Sequence, residues 1–372
     1  MRKDSIALYF HRLGTAGGGA QRMLCLLAEG LVMRKFNVHV VSWDQPGATC
    51  FYRLSPDVTW HCLGFSAGAA NKLHRARTLS KLLIEHGIGV LVGFVMSGDR
   101  TVFAAAKLSG TKVIAAERNA PAMYHIRYSP LERWLSFASL HLASRIVVQS
   151  VDFVRGYPAT LHKRIEVIPN PVFMPARRAR PEQPSPEGRF TLLAVGRLDG
   201  VQKCLDKLVG AFATVAERHP TWDLVIVGDG PEEAALRRLA AVKGIGERVR
   251  LENSTQNICQ AYLDAHLFAL PSRWEGFPNA LAEALAHGLP AIGFREASGV
   301  AQFITDGETG WLADGLADEI TLAKVLDEAM ASNPERARRG ANAARSMTGY
   351  TPEIQFERWA ILIRSVAGGV NE

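Results

Sequence analysis

Short apolar runs recur along the chain, each stopped by glycine, proline or a polar cluster. Between them lie longer segments whose apolar positions repeat at helical spacing. In the first half, runs at 5–10, 38–42, 88–94, 112–116, 146–149 and 165–167 predict strands. Helices are predicted at about 20–33, where Leu24, Leu27, Ala28 and Leu31 share a face, and at about 71–86 and 101–108. A stretch rich in proline and arginine, 175–188, reads as a linker by composition. The pattern then starts again. Strands predicted at 191–195, 223–227, 249–251, 267–270 and 291–293 alternate with helices at 205–217, 232–242, 258–263, 319–330 and 352–366. Residues 306–312 are turn-rich and read as a hairpin or loop. Strands alternating with helices mean parallel sheets covered on both faces, so the expected fold class is α/β with two doubly wound halves.

The most informative stretch is 267–290. Its apolar strand runs into Pro271-Ser272-Arg273-Trp274-Glu275-Gly276-Phe277-Pro278, and then into a helix with Leu281, Ala284 and Leu285 on one face. Pro278 suits the first turn, and Gly288-Leu289-Pro290 ends the helix. A helix starting near Asn279 and rising ~1.5 Å per residue sets Glu283 roughly 6 Å along the axis from the loop that holds Glu275. The N–H groups of Gly276, Phe277 and Asn279 would point out of the helix N-terminus, where unpaired donors and the helix dipole stabilise an anion. One site would then hold a phosphate on the amides and hydroxyl groups on the carboxylates. For two glutamates alone, a solvated loop and a solvent-facing helix position would be the commoner explanation; strand, loop and helix together favour the site.

Other loops add to it. Arg197 and Lys203 follow the strand at 191–195, and in a parallel sheet such strand ends line one edge. Two cations, a helix N-terminus and two carboxylates facing one crevice between the halves would grip a sugar nucleotide. In the first half, Gly14-Thr15-Ala16-Gly17-Gly18-Gly19-Ala20 links a strand to a helix, an arrangement that cradles phosphates. Its spacing is not G-x-G-x-x-G, so the dinucleotide fingerprint is not met. Residues 117–135 are polar and aromatic together, with Asn119 and His125 among them; a histidine alone is more often an ordinary surface or packed residue. The helix at 71–86 sets Lys72, Arg75, Arg77 and Lys81 beside Leu73, Leu79 and Leu82, usually a solvated face and also what contact with a membrane surface requires.

Composition narrows the class. A chain of 372 residues, 48% of them hydrophobic, has material for two cores. No apolar run reaches the ~20 residues that span a bilayer, and the stretch 6–10 is too short for a signal peptide. Five scattered cysteines without a C-x-x-C pair suggest a reduced, cytoplasmic protein with no zinc ribbon. Residues 1–172 carry 21 Lys and Arg against 10 Asp and Glu, whereas residues 173–372 carry 22 against 26. A basic first half suggests an anionic partner, with nucleic acid, a membrane surface and a phosphorylated acceptor all open on charge alone.

Five segments in order resemble the retaining glycosyltransferases of family 4: Gly17-Gly18-Gly19-Ala20-Gln21-Arg22, Ile168-Pro169-Asn170-Pro171, Gly196-Arg197-Leu198 with Lys203, Val227-Gly228-Asp229-Gly230-Pro231, and the E-x7-E element in 272–283. That family has the GT-B architecture, two Rossmann-like domains facing across a cleft. The resemblance implies an N-terminal acceptor-side domain at 1–172, a linker at 173–189, a nucleotide-sugar-binding domain at 190–348, and a helix at 349–372 that packs back on the first domain. It further implies that Arg197 and Lys203 hold the donor diphosphate and stabilise the charge that develops as it leaves. Glu275 would hold sugar hydroxyls, Glu283 the ribose, and the amides of Gly276, Phe277 and Asn279 the sugar and distal phosphate. The backbone at Leu251 would meet the base, and Gly18 and Gly19 would close over the phosphates. No protein nucleophile, cofactor or metal is expected, and the chain contains no Asp-x-Asp. Two departures stand out. Lys203 is followed by Cys204 where the family has Gly, and Glu117-Arg118-Asn119 stands where many relatives present a His, as in a subset acting on bacterial surface polysaccharide.

The expected activity is transfer of a hexose or N-acetylhexosamine from a nucleotide diphosphate sugar, UDP-linked, to a glycan or polyprenyl-diphosphate-linked oligosaccharide. The enzyme is expected in the cytoplasm, in peripheral contact with an anionic membrane through its basic first half, and without nucleic acid as a partner. Two alternatives remain: a nucleotide-sugar- or glycan-binding protein without turnover, and an NAD-type dehydrogenase or epimerase.

Overall fold

The computed structural model describes residues 4–14, 18–66, 71–94, 100–255 and 257–368. They form two units, residues 1–171 with 352–372, and Val172–Thr351.

In the first unit, β1 (Ser5–Tyr9), β2 (Asn37–Ser42), β3 (Thr59–Cys62), β4 (Val90–Phe94), β5 (Lys112–Ala116), β6 (Arg145–Val148) and β7 (Ile165–Val167) make one sheet. Among the described residues its order is β3-β2-β1-β4-β5-β6-β7, with every pair parallel. Ile6 on β1 lies between Val38 and Val90, and the central strands are buried on both faces, which is why they read as continuous apolar runs. The intervening helices are α1 (Gly19–Val32), α2 (Lys72–Glu85), α3 (Thr101–Ser109), α4 (Ala122–Arg127), α5 (Pro130–Leu140) and α6 (Val151–Val154).

The second unit repeats the plan. Its strands are β8 (Phe190–Val195), β9 (Trp222–Val227), β10 (Val249–Glu252), β11 (Leu267–Leu270), β12 (Ala291–Phe294) and β13 (Gly310–Ala313), all parallel in the order β10-β9-β8-β11-β12-β13. Its helices are α7 (Leu205–Val215), α8 (Glu233–Val242), α9 (Ile258–Asp264), α10 (Asn279–Ala286), α11 (Glu319–Ala331) and α12 (Asn333–Ser346). The strand order reverses between β1 and β4 and again between β8 and β11, and open α/β sheets bind ligands outside the strand ends at such points. A last helix, α13 (Pro352–Gly368), belongs to the first unit. It buries Phe356, Trp359 and Ile363 in that unit's core, and the Phe356 ring lies so close to Gly30 of α1 that a Cβ there would stand 2.3 Å from it.

Two sequence expectations change, and two elements appear that the sequence pattern did not predict. The segment 173–189 is no free linker but is tied to the second unit through residues 179–183. Ala179 donates its N–H to the His287 carbonyl at 2.8 Å, Arg336 donates to the Pro181 carbonyl at 2.9 Å, and the His266 ring donates to the Gln183 carbonyl at 2.8 Å. Of the prolines and arginines that read as a spacer, Pro181 is buried, while Arg177, Arg178, Arg180, Pro184 and Pro186 stay exposed. Residues 310–313 are a parallel edge strand rather than half of a hairpin, packed so closely that a Cβ on Gly310 would lie 2.0 Å from the Ala291 carbonyl oxygen. The strand β3, Thr-Trp-His-Cys, has no apolar alternation to reveal it. The polar helix α12 rests on buried arginine rather than apolar spacing: Arg336 also donates to the carbonyls of Ala329 and Met330, at 3.0 and 2.9 Å. No helix among the described residues is long and apolar enough to cross a membrane.

Candidate active site

The reversal point of the second unit is built first from glycine. Gly228 after β9 has φ +156°, and a Cβ there would stand 1.9 Å from the Gly196 carbonyl oxygen; one on Gly230 would stand 2.5 Å from that of Leu198. The loops after β8 and β9 therefore lie backbone against backbone, tied by the Leu198 N–H to the Asp229 carbonyl at 3.0 Å. Asp199 then folds the next turn, its carboxylate accepting the N–H groups of Val201 and Gln202 at 3.0 and 3.2 Å. That turn aims Lys203 at the loop after β11. Its Nζ sits 2.6 Å from Glu275 Oε1, and the Ser272 hydroxyl donates to the same oxygen at 2.7 Å.

Backbone bonds hold both partners. Gln202 donates its side-chain N–H to the Trp274 carbonyl at 3.0 Å and accepts the Arg273 N–H at 2.9 Å. The Glu275 N–H donates to the Ser298 carbonyl at 2.8 Å. With side chains only 14% and 9% exposed, the Lys203–Glu275 pair sits where solvent screens it weakly. Cys204, which follows, takes a left-handed φ of +49°, the conformation for which the family's glycine is suited. Burial pushes its thiol upward.

The other predicted residues are placed as follows. Arg197 leaves the end of β8 with its side chain 64% exposed and Asp199 4.0 Å away, a pair that water screens. Glu283 on α10 is half-buried and accepts from the Tyr262 hydroxyl at 3.1 Å, while its carbonyl accepts from His287 at 2.7 Å. Gly276 is buried. The Phe277 ring packs in the core, 5.0 Å from Phe303 centre to centre, so only its backbone belongs to the loop. The Asn279 amide was expected to point outward, but it donates to the Phe277 carbonyl at 2.9 Å. Pro278, at φ −80° and ψ 74°, turns the chain tightly enough to consume that donor. The Leu251 carbonyl accepts from Arg237 at 3.1 Å.

In the first unit, Thr15, Ala16 and Gly17 lie outside the described residues; Gly18 donates its N–H to Gln21 Oε1 at 2.6 Å, and Gly19 opens α1. Asn119 is half-buried after β5 beside two buried charges. Glu117 accepts the Tyr124 hydroxyl, and Arg118 lies over the rings of Phe94 and Trp359, at 4.5 and 5.5 Å, while donating to Asn170 Oδ1 at 3.1 Å. Burial brings Arg118 down to about 9, which leaves it charged at neutral pH. His125 is exposed and accepts from Arg133 at 2.8 Å. The structure thus brings Lys203 and Glu275 into contact and sets Arg197 on the same sheet edge, whereas Gly18, Gly19, Asn119 and His125 belong to the other unit. Sequence reasoning missed Asp199, Gln202, Ser272 and Tyr262. Ser272 lay inside a quoted motif, Asp199 and Gln202 stood between the quoted Gly196-Arg197-Leu198 and Lys203, and Tyr262 carried no signal. Among the described residues, no group of three or more His, Cys, Asp or Glu is placed to hold a metal ion.

The family model for glycosyl transferases group 1 matches residues 176–346, and that for glycosyltransferase family 4 matches residues 17–173. An uncharacterized glycosyltransferase of Haemophilus influenzae is 34% identical over 170 residues, 45% of this chain and 47% of that protein. The amylovoran biosynthesis glycosyltransferase AmsD of Erwinia amylovora is 32% identical over 168 residues, 45% of this chain and 46% of its own. The chain thus matches under half the length of these relatives. Among solved structures, Anabaena HepE in complex with UDP and glucose superposes with a TM-score of 0.77, at 16% identity, over 97% of this chain and 99% of that one.

Proposed function

The chain belongs to the family 4 glycosyltransferases of GT-B architecture, and on that footing we propose that it moves a hexose or N-acetylhexosamine from a nucleotide diphosphate sugar, UDP-linked, to a glycan or lipid-linked oligosaccharide with retention at the anomeric carbon. The observation that carries this is the Lys203–Glu275 pair at the reversal point of the second sheet. An ammonium and a carboxylate at 2.6 Å, on loops fixed by backbone bonds, offer one charge to a diphosphate and the other to sugar hydroxyls. Arg197, exposed on the same edge, supplies the second cation. Glu283 takes the ribose, the backbone at Leu251 meets the base, and the amides of Gly276 and Phe277 serve the distal phosphate.

Chemically, the leaving phosphate accepts the acceptor's proton as that hydroxyl attacks from the same face, so no protein nucleophile is needed. Lysine and arginine supply the countercharge that a divalent cation supplies elsewhere. The basic first half takes the acceptor, with Asn119 and His125 as contacts and α2 exposing Lys72, Leu73, Arg77, Lys81 and Ile84 to an anionic membrane at the inner face of the plasma membrane. HepE, of the same fold, was crystallised with UDP and glucose, which is in keeping with a UDP-sugar donor.

A melting assay with UDP-, GDP- and ADP-sugars and with NAD(H) tests the reading. A UDP-sugar should raise the transition and NAD(H) should not; a shift with NAD(H) alone would replace this reading with the dehydrogenase. Transfer should be unchanged by EDTA, and loss restored by Mg²⁺ would refute the metal-free mechanism.

A further inference from the structure

Outside the edge described above, two cysteines face each other in the first unit. Cys25 Sγ lies 3.9 Å from Cys50 Sγ. Cys25 is buried on α1, whereas Cys50 is half-buried in the segment after β2 and is the more accessible residue of the pair. The backbone around them is held without help from sulfur. The Asp44 carboxylate accepts the N–H groups of Leu13 and Gly14 at 2.7 and 3.2 Å, and Phe51 donates to the Leu13 carbonyl at 3.1 Å. A disulfide's sulfurs stand ~2 Å apart, so the pair at 3.9 Å must close by roughly 2 Å to form the bond.

We propose that Cys25 and Cys50 form a thiol–disulfide modification site, oxidised by low-molecular-weight disulfides and reduced by the matching thiols. Cys50, the more accessible of the two, loses its proton to water and its thiolate attacks the external disulfide, making a mixed disulfide and releasing one thiol. Cys25 then attacks the Cys50 sulfur. The Cys25–Cys50 bond forms, the second external thiol leaves, and it carries off the Cys25 proton. Two protein thiols and one disulfide become one protein disulfide and two thiols.

The local chemistry suits this order. Hydrogen bonding from Cys25 brings the Cys50 thiol down to about 7, against burial and the Asp44 charge, while Cys25 itself is raised. Cys62, half-buried on β3, is raised chiefly by burial and is therefore the poorer nucleophile. The bond would staple α1 to the segment after β2 and close a loop of about 25 residues, which constrains the unfolded chain.

The test is to incubate the native full-length protein with oxidised glutathione, alkylate the remaining thiols and map peptides by mass spectrometry. The expected result is a Cys25–Cys50 crosslinked peptide and a Tm higher by roughly 5 °C. Cys25→Ser should instead accumulate glutathione on Cys50, with no rise in Tm. A lasting glutathione adduct on Cys50 of the unsubstituted protein, with Cys25 still open to alkylation under native conditions, would overturn the proposal. So would a Cys50–Cys62 crosslink. The readout on the unsubstituted protein does not depend on any variant folding.

Discussion

In the second unit, the edge where the strand order reverses brings Lys203 and Glu275 together on the loops after β8 and β11. In the first unit, the edge after β5 also gathers charge, but there Glu117 and Arg118 are shut in under Tyr124, Phe94 and Trp359. On the proposed function, one strand plan serves two purposes. A lysine–carboxylate pair at a partly open edge can exchange partners with a ligand, whereas a guanidinium between two rings braces β5 against α13. Topology says where a site can be; the residues at each strand end decide whether that place holds a ligand or holds the unit together.

The sharpest way to break that contrast is to remove the pair. Lys203→Ala and Glu275→Ala should each lower the transfer rate by at least ~100-fold, about 2.7 kcal/mol, with the circular dichroism of the folded protein kept. Near-normal rates in either variant would move the site elsewhere. Next is the close approach beneath it: Gly230→Ala should cost about 2–4 kcal/mol in urea unfolding, because its Cβ would collide with the Leu198 carbonyl. In the first unit, Arg118→Met should cost about 1–3 kcal/mol and leave the affinity for UDP-sugar unchanged. A weakened donor affinity there would erase the distinction between brace and site.

A pH series sharpens the contrast further. Burial, with His61 and His86 beside it, lowers His39 of the first unit to about 4. The unfolded chain binds that proton near 6.5 and the folded chain only near 4. Stability from this group is therefore full above about 6.5 and falls as pH drops from 6.5 toward 4, and His39→Gln should flatten the Tm profile across that window. Smallest is Cys204→Gly. Relief of the left-handed strain, offset by the greater freedom of glycine when unfolded, should raise stability by no more than about 1 kcal/mol, whereas Cys204→Ala should give no gain.

Much of this was readable from the chain. The strands β5 and β11 lie inside their sheets and are largely buried, so 112–116 and 267–270 appear in the sequence with the bounds that the structure shows; the half-buried edge strand 165–167 keeps its bounds too, on Ile165 and Val167 alone. The glycines at 228 and 230 are legible because backbones touch there. What the chain hid was held by polar groups: α12 rests on the Arg336 guanidinium, the strap at 173–189 on carbonyl hydrogen bonds, and β3 on pairing with β2. Within the site, Glu275 and Lys203 could be singled out by motif. Their direct contact could not, because it depends on the Asp199 turn and on Gln202, which bridges two loops distant in sequence. The Asn279 amide was misjudged because a proline's ψ decides whether the next N–H points outward or back into the turn.

The most direct measurement is a double-mutant cycle on transfer rate with Lys203→Ala, Glu275→Ala and the double variant, each checked for folding. If the two residues act on one donor as a unit, the double variant should lose about as much rate as either single variant. Losses that multiply would mean that the two side chains work independently, and the site as described would be wrong.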